Sequence, residues 1–179
     1  MQAIIWIFFL LFIALGLSLI WYTLRYGISP MPTSLKVKKI LLKKLPQNFS
    51  GTLYELGSGW GTLAIPLAEK YPEAQVIGYE ISWIPYLFSQ IRLFIHPRKN
   101  LIFKRADFLA CDLSKAHLYI CYLYPGAMMR LSEKLAKEAP EGAILVSHTF
   151  ALPNKKPEQV IPVDDLYNTS IYFYKLYNK

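Results

Sequence analysis

Hydrophobic and polar positions divide the chain into three parts. Residues 1–24 contain no charged side chain, and such a run is long enough to cross a bilayer as a helix. After Pro30 and Pro32, apolar residues recur at helical spacing between Leu35 and Leu45, with lysines between them, which predicts a short amphipathic helix capped by Thr33 or Ser34. We therefore expect a transmembrane anchor over 1–25, a basic segment with the amphipathic helix over 26–47, and a folded domain over 48–179.

Within 48–179, strand and helix patterns alternate, which predicts an α/β fold: a parallel sheet with helices on both faces. Residues 150–157 are too few for a crossover helix, so the last two strand patterns are expected to form a C-terminal antiparallel hairpin. The predicted strands are 52–56, 75–80, 101–107, 118–124, 143–150, 158–163 and 169–177, and the predicted helices are 61–71, 84–94 and 127–138.

The charge distribution supports the anchor and orients it. The net charge is +8, and residues 25–54 carry six basic side chains and no acid, leaving 14 basic and 12 acidic residues in the remainder. Positive charge beside an apolar helix predicts the cytoplasmic side and contact with anionic lipid. A nearly neutral remainder disfavours a nucleic-acid partner. We expect a single-pass membrane protein with its domain on the cytoplasmic side of a prokaryotic inner membrane; a cleavable signal peptide or a buried helix is the alternative for 1–24.

The cysteines and histidines give no sign of a disulfide framework or a metal centre. Cys111 and Cys121 lack the spacing of a zinc motif, and His96, His117 and His148 are scattered along the chain. Neither a bound metal nor a disulfide is therefore expected.

The stretch "YELGSGWGTL", residues 54–63, joins a predicted strand to a predicted helix. Gly57, Gly59 and Gly61 place backbone N–H groups at a helix start, where a ligand can approach closely. The spacing is neither G-x-G-x-x-G nor a Walker A loop. Glu55 would repel a pyrophosphate, so a cationic ligand is favoured.

Two further carboxylates follow the next two strands. Glu80 ends "VIGYE", where it can accept hydrogen bonds from both hydroxyls of a ribose, and Asp107 in "RADF" can accept from an adenine amino group, with Phe108 near the ring. Three carboxylates around one crevice fit S-adenosylmethionine, which has a sulfonium, an ammonium, a ribose and an adenine but no phosphate.

At these residues the chain resembles the class I, seven-strand S-adenosylmethionine-dependent methyltransferases. The resemblance covers residues 30–150 and implies a Rossmann-like sheet. It assigns Glu55 to the methionine part of the cofactor, Glu80 to the ribose and Asp107 to the adenine, with the three glycines at the loop.

A narrower resemblance rests on "PMPTS", on "FLACDLSKAHLYICYLYPGAMMRLSEKLAKE" and on "GAILVSHTFALP". These stretches look like the small membrane-associated protein-lysine methyltransferases, which include mitochondrial enzymes acting on the adenine nucleotide translocase and the ATP synthase c-ring, and a broad-specificity archaeal relative. The resemblance adds Thr33 to the cofactor-binding candidates. "HTFALP" departs from the arginine-phenylalanine-proline stretch of that family at His148 and Thr149, which leaves the substrate open.

Methyl transfer from a sulfonium mainly requires that a neutral nucleophile be oriented and water excluded. Tyr122 and Tyr124, after the fourth strand, are candidates for a substrate channel, or else pack in the core. His148 is a proton acceptor or a structural residue. We expect a membrane-anchored enzyme that methylates a lysine of a membrane-associated protein; a lipid or hydrophobic small-molecule methyltransferase and a non-catalytic scaffold are the alternatives.

Overall fold

The computed structural model describes residues 2–26 and 31–177, and the chain forms two compact units, 1–31 and 32–179. The first unit is helix α1, Gln2–Tyr26. Among the residues described, no helix qualifies by length and apolarity as a membrane span, so the predicted helix is found but the predicted span is not. Residues 27–30, with the helix break predicted at Pro30, lie outside the described residues, as do Met1 and residues 178–179.

The second unit alternates helices and strands. Its first helix is capped by Ser34, whose Oγ accepts a hydrogen bond from the Val37 N–H at 3.3 Å. A short 3₁₀ turn, Phe108–Ala110, follows the third strand. The elements are α2 Leu35–Lys44, β1 Gly51–Leu56, α3 Ala64–Lys70, β2 Ala74–Glu80, α4 Trp83–Ile95, β3 Leu101–Arg105, β4 Leu118–Cys121, α5 Pro125–Glu138, β5 Ile144–His148, β6 Gln159–Pro162 and β7 Ser170–Lys175.

The seven strands form one sheet in the order β3-β2-β1-β4-β5-β7-β6. The first five strands run parallel, and β7 pairs antiparallel with both β5 and β6. The predicted parallel sheet and its C-terminal antiparallel hairpin are confirmed. Because the carboxyl ends of β1 to β5 meet at one edge of the sheet, the residues that follow these strands lie near one another.

Two element boundaries differ from the predictions by three residues, and the others by at most two. The strand predicted over 118–124 ends at Cys121 because Pro125 occupies the first turn of α5 and Tyr124 caps that helix in an extended conformation. The helix predicted from residue 61 begins at Ala64 because the glycine turn occupies the preceding residues.

Side chains alternate between two core layers on opposite faces of the sheet. Leu53, Leu118 and Ile120 pack with α2 and α3, and two residues of α4 join this layer at its margin. Tyr54 and Tyr119 pack with α5 on the other face. The alternation follows from the period of two along a strand, and it places α2, α3 and α4 together, opposite α5.

Candidate active site

The turn after β1 is held by backbone hydrogen bonds to the neighbouring strand. The N–H groups of Gly57 and Ser58 donate to the Tyr79 carbonyl at 2.9 and 2.8 Å. Gly61 has φ +69°, and a Cβ there would lie 2.7 Å from Phe103 Cζ. Gly59 has φ +52°, but a Cβ there would meet no atom within 4 Å. Gly61 is therefore required by packing, whereas Gly59 is the point where a ligand has room to approach the backbone.

Glu80 connects this glycine turn to the start of α4. One carboxylate oxygen accepts from the Gly59 N–H at 2.8 Å, and the other accepts from the Ser82 N–H at 2.7 Å. A carboxylate offers about four acceptor positions, so these two bonds leave capacity for the ribose hydroxyls that the sequence assigns to it. The structure adds Ser82, whose N–H orients Glu80 and whose role the sequence did not reveal. The only sign of Ser82 in the sequence is its position two residues after the acid that ends the strand.

Glu55 is a buried acid at the end of β1 with an unpartnered oxygen. Its Oε2 has no hydrogen-bond partner, and neither has the Ser58 Oγ. Loss of hydration raises the pKa of Glu55 well above its ordinary value; the charge of Glu80 raises it further, and a backbone hydrogen bond from Ala64 opposes both. Because an unpaired buried carboxylate is costly, a cationic group beside it would stabilise the ionised form.

The third predicted carboxylate, Asp107, lies beyond the end of β3. Its Oδ1 accepts from the Leu109 N–H at 2.9 Å and caps the 3₁₀ turn. The adjacent Ala106 N–H donates to the Glu80 carbonyl at 3.0 Å, so Asp107 and Glu80 follow neighbouring strand ends. Phe108 is 9% exposed and belongs to the core layer that faces α5. The structure thus brings Glu55, Glu80 and Asp107 to one edge of the sheet.

A second cluster forms at the ends of β4 and β5. The His148 ring stacks on Tyr122 with 4.3 Å between ring centroids and an interplanar angle of 25°. The Phe150 ring is nearly parallel to the Tyr122 ring, with 6.4 Å between centroids and an angle of 11°. Thr33 Oγ1 shares a hydrogen bond with His148 Nε2 at 3.0 Å. The Thr33 contact is with this cluster, and its predicted part in cofactor binding stays a prediction.

His148 is uncharged at neutral pH. Burial lowers its pKa to about 4, and the charge of Asp165 opposes the shift only in part. The next residue, Thr149, has φ +72°, which is strained for a β-branched side chain, and its N–H bonds to the Ser170 carbonyl at 2.9 Å. Backbone strain of this kind concentrates at functional sites.

The two predicted channel tyrosines have different surroundings. Tyr122 joins the His148 cluster, whereas the Tyr124 ring covers Gly126, with Cε2 2.7 Å from the place a Cβ would occupy. Leu123 lies between them in sequence and approaches Gly57, 3.1 Å from a Cβ built there. The His148 cluster is therefore contiguous with the glycine turn.

A separate cavity of about 390 Å³ lies at the opposite edge of the sheet, where α3 ends and β1 begins, and it is lined by residues 47–50 and 70–73. Because the carboxylates are at the other strand ends, this cavity is distinct from the candidate site. In the ranges 2–26 and 31–177, no group of three or more His, Cys, Asp or Glu residues is placed to hold a metal ion.

Comparisons with known proteins bear on the same residues. The family model of the ANTKMT methyltransferase domain matches residues 55–159. A protein-lysine N-methyltransferase of Saccharolobus islandicus (strain REY15A) is 29% identical over 151 residues, covering 80% of this chain and 91% of that protein. The adenine nucleotide translocase lysine N-methyltransferase of Mus musculus is 30% identical over 116 residues, covering 62% of this chain and 48% of the mouse protein. The chain therefore spans about half of the mouse relative.

Solved structures share the fold. An RNA methyltransferase from Salinibacter ruber, in complex with S-adenosyl-L-homocysteine, superposes with a TM-score of 0.75 at 24% identity, covering 83% of this chain and 95% of that one. A precorrin-6y C5,15-methyltransferase from Geobacter metallireducens GS-15 superposes with a TM-score of 0.64 at 14% identity, covering 80% and 89%.

Proposed function

We propose, since the chain belongs to the ANTKMT methyltransferase family, that it transfers a methyl group to a lysine side chain of a protein. The chain is an S-adenosylmethionine-dependent methyltransferase, so the predicted enzyme class, cofactor and family resemblance are confirmed. The same findings argue against the alternative of a non-catalytic scaffold. The names of two relatives support a lysine acceptor.

The residues of the glycine turn fit this cofactor. Glu55 Oε2 and Ser58 Oγ are buried polar atoms without partners, and Gly59 leaves open space beside them. An ammonium or sulfonium group would supply the missing partner for the acid. We assign Glu55 to the methionine part of the cofactor, Glu80 to the ribose and Asp107 to the adenine.

S-adenosylmethionine supplies an electrophilic methyl group on a good leaving group, so the protein has mainly to position a neutral amine and exclude water. The observation that supports lysine as the methyl acceptor is the stacking of the Tyr122 ring on the His148 ring, which is buried and uncharged. Loss of hydration beside this wall disfavours an ammonium relative to the free amine and lowers the pKa of an incoming lysine. Thr33 fixes this wall through its bond to His148 Nε2.

We further propose that the protein acts at a membrane, with its domain on the cytoplasmic side of a prokaryotic inner membrane. This proposal rests on the sequence: 24 uncharged residues are followed by six bases without an acid over 25–54. If the full chain is a single-pass protein, it should stay in the membrane pellet after alkaline carbonate extraction. Recovery in the supernatant would contradict the anchor.

Labelled methyl transfer tests the acceptor. The full chain is incubated with membranes and S-adenosylmethionine carrying a labelled methyl group, and label is followed into protein and into extracted lipid. We expect label in protein, recovered as methyl-lysine after hydrolysis, and loss of that label in Tyr122→Ala. Tyr167→Phe is the matched control, because Tyr167 is 76% exposed. Label in the lipid fraction would contradict a protein acceptor and would indicate that the enzyme methylates a lipid.

A further inference from the structure

Helix α4 exposes most of its large apolar side chains and buries a proline and a serine. Its buried residues are Pro85 and Ser89, and the Ser89 hydroxyl is satisfied by the Tyr86 carbonyl at 2.7 Å. At 100° per residue, the exposed apolar side chains share one face of the helix. This α4 face consists of Trp83, Leu87, Phe88, Ile91, Phe94 and Ile95, which are between 50% and 87% exposed.

The size of the α4 face is unusual for a surface in contact with water alone. A fully exposed aromatic side chain offers about 150–250 Å², so these six side chains together expose roughly several hundred Å². Contiguous apolar patches of that size on soluble domains mark contact surfaces. The face also reaches the active site, because the Trp60 ring in the glycine turn packs edge-on against Phe88 at 5.1 Å.

Basic residues accompany the α4 face. From Ile81 to Ala106 the sequence has five Lys and Arg residues and no Asp or Glu. Arg98 forms a salt bridge with Glu69. Lys104 lies over the Tyr79 ring, on the side of the sheet that faces α5. Arg92, Lys99 and Arg105 form no salt bridge with any residue that the structure describes. The Arg105 guanidinium lies 3.8 Å from the centre of the Trp83 ring.

We propose that the α4 face docks on the surface of an anionic lipid bilayer. Apolar side chains including Trp, rimmed by Lys and Arg, match the boundary between acyl chains and anionic headgroups. A second copy packed by two-fold symmetry would bring the basic rims of both copies together, with no acid in the 81–106 segment to pair with them. Charge complementarity therefore favours lipid over self-association.

This inference deepens the proposed function, on which it rests, by stating how the site meets the membrane. The six basic residues over 25–54 belong to another part of the sequence, and the α4 face adds apolar side chains to the contact that they would make. Because Trp60 joins this face to the glycine turn, docking would bring the carboxyl edge of the sheet close to the headgroups and to lysines exposed there.

The test uses the full chain in lipid nanodiscs and measures docking without measuring methyl transfer. A fluorescent probe is attached at Ile91→Cys on α4 and, as the matched control, at Met129→Cys on α5, both in a Cys111→Ser background. Ile91 and Met129 are 53% and 54% exposed, and their helices lie on opposite faces of the sheet. Quenching by lipids brominated in the acyl chain reports contact of each probe with the bilayer.

We expect quenching at position 91 to exceed quenching at 129, and to be stronger with phosphatidylglycerol present than in phosphatidylcholine alone. Arg105→Gln and Arg92→Gln should each reduce the docked population about fivefold. Equal quenching at both positions overturns the proposal. Shielding of position 91 in detergent without lipid also overturns the proposal. Shielding that depends on protein concentration indicates a second copy of the chain. Shielding that is independent of concentration indicates that another part of this chain covers the α4 face. Methyl transfer that persists without docking would leave the proposed function intact.

Discussion

Replacing Glu55 by Gln should weaken cofactor binding without weakening the fold. The substitution keeps the shape of the side chain and the acceptor for the Ala64 N–H, but it removes the negative charge next to the glycine turn. A hydrogen bond to a charged group contributes about 1.5–3 kcal/mol, which corresponds to roughly a 10- to 150-fold loss of affinity for S-adenosylmethionine.

The effect on stability has the opposite sign. Because burial raises the pKa of Glu55 well above 4.5 in the folded protein, the folded state binds more protons than the unfolded state at pH values above 4.5. Stability from this group is therefore full below pH 4.5 and falls as the pH rises towards the folded pKa, by about 1.4 kcal/mol for each pH unit crossed. Glu55→Gln removes this loss, so the cofactor-free variant should be at least as stable as the natural chain at neutral pH.

Calorimetric titration and urea denaturation measure the two effects on the same samples. Wild-type binding should release protons, seen as a heat that changes with the ionisation enthalpy of the buffer, since a cationic ligand favours ionised Glu55; the variant should show no such release. Glu133→Gln, at an acid on α5, should leave affinity unchanged. Unaltered affinity in Glu55→Gln, or a loss of stability that parallels the loss of affinity, would refute the assignment.

Four other substitutions test the site and its support. Gly61→Ala should destabilise the fold by about 1–3 kcal/mol in urea denaturation, since its Cβ would overlap Phe103. Gly59→Ala should cost less stability but should lower the affinity for the cofactor measured by calorimetric titration. The pKa of about 4 for His148, against 6.5, predicts that stability falls by about 3 kcal/mol as the pH drops from 6.5 to 4, and His148→Gln should flatten that part of a pH series of denaturation curves. Leu41→Ala should cost about 2–5 kcal/mol, because this fully buried residue joins α2 to the sheet, and an unchanged urea midpoint would show that α2 contributes little.

The alternation of strands and helices and the strand-end positions of the three carboxylates follow from local patterns, and they could be predicted. An acid at the end of a buried strand can be recognised in a single sequence, because the run of apolar residues and the point where it stops are both local features. The bond between Thr33 and His148 joins residues 115 positions apart, and no local pattern reports such a pairing. The α4 face illustrates another limit: a 3.6-residue period identifies a helix and its apolar side, but it does not say whether that side meets the sheet.

The features that oppose folding are concentrated at the carboxyl edge of the sheet. In the part of the chain that the structure describes, the buried side-chain polar atoms without partners are Glu55 Oε2 and Ser58 Oγ, and both lie at the glycine turn. Thr149, with its strained φ, follows β5 at the same edge, and α4 turns its apolar face outwards from there. Backbone hydrogen bonds from the glycine turn to β2, and the bonds that Glu80 accepts from Gly59 and Ser82, hold the turn against the sheet. Under the proposed assignment, a cationic group of the cofactor beside Glu55 would supply the partner that this acid lacks, and little of its binding energy would be spent on ordering the turn.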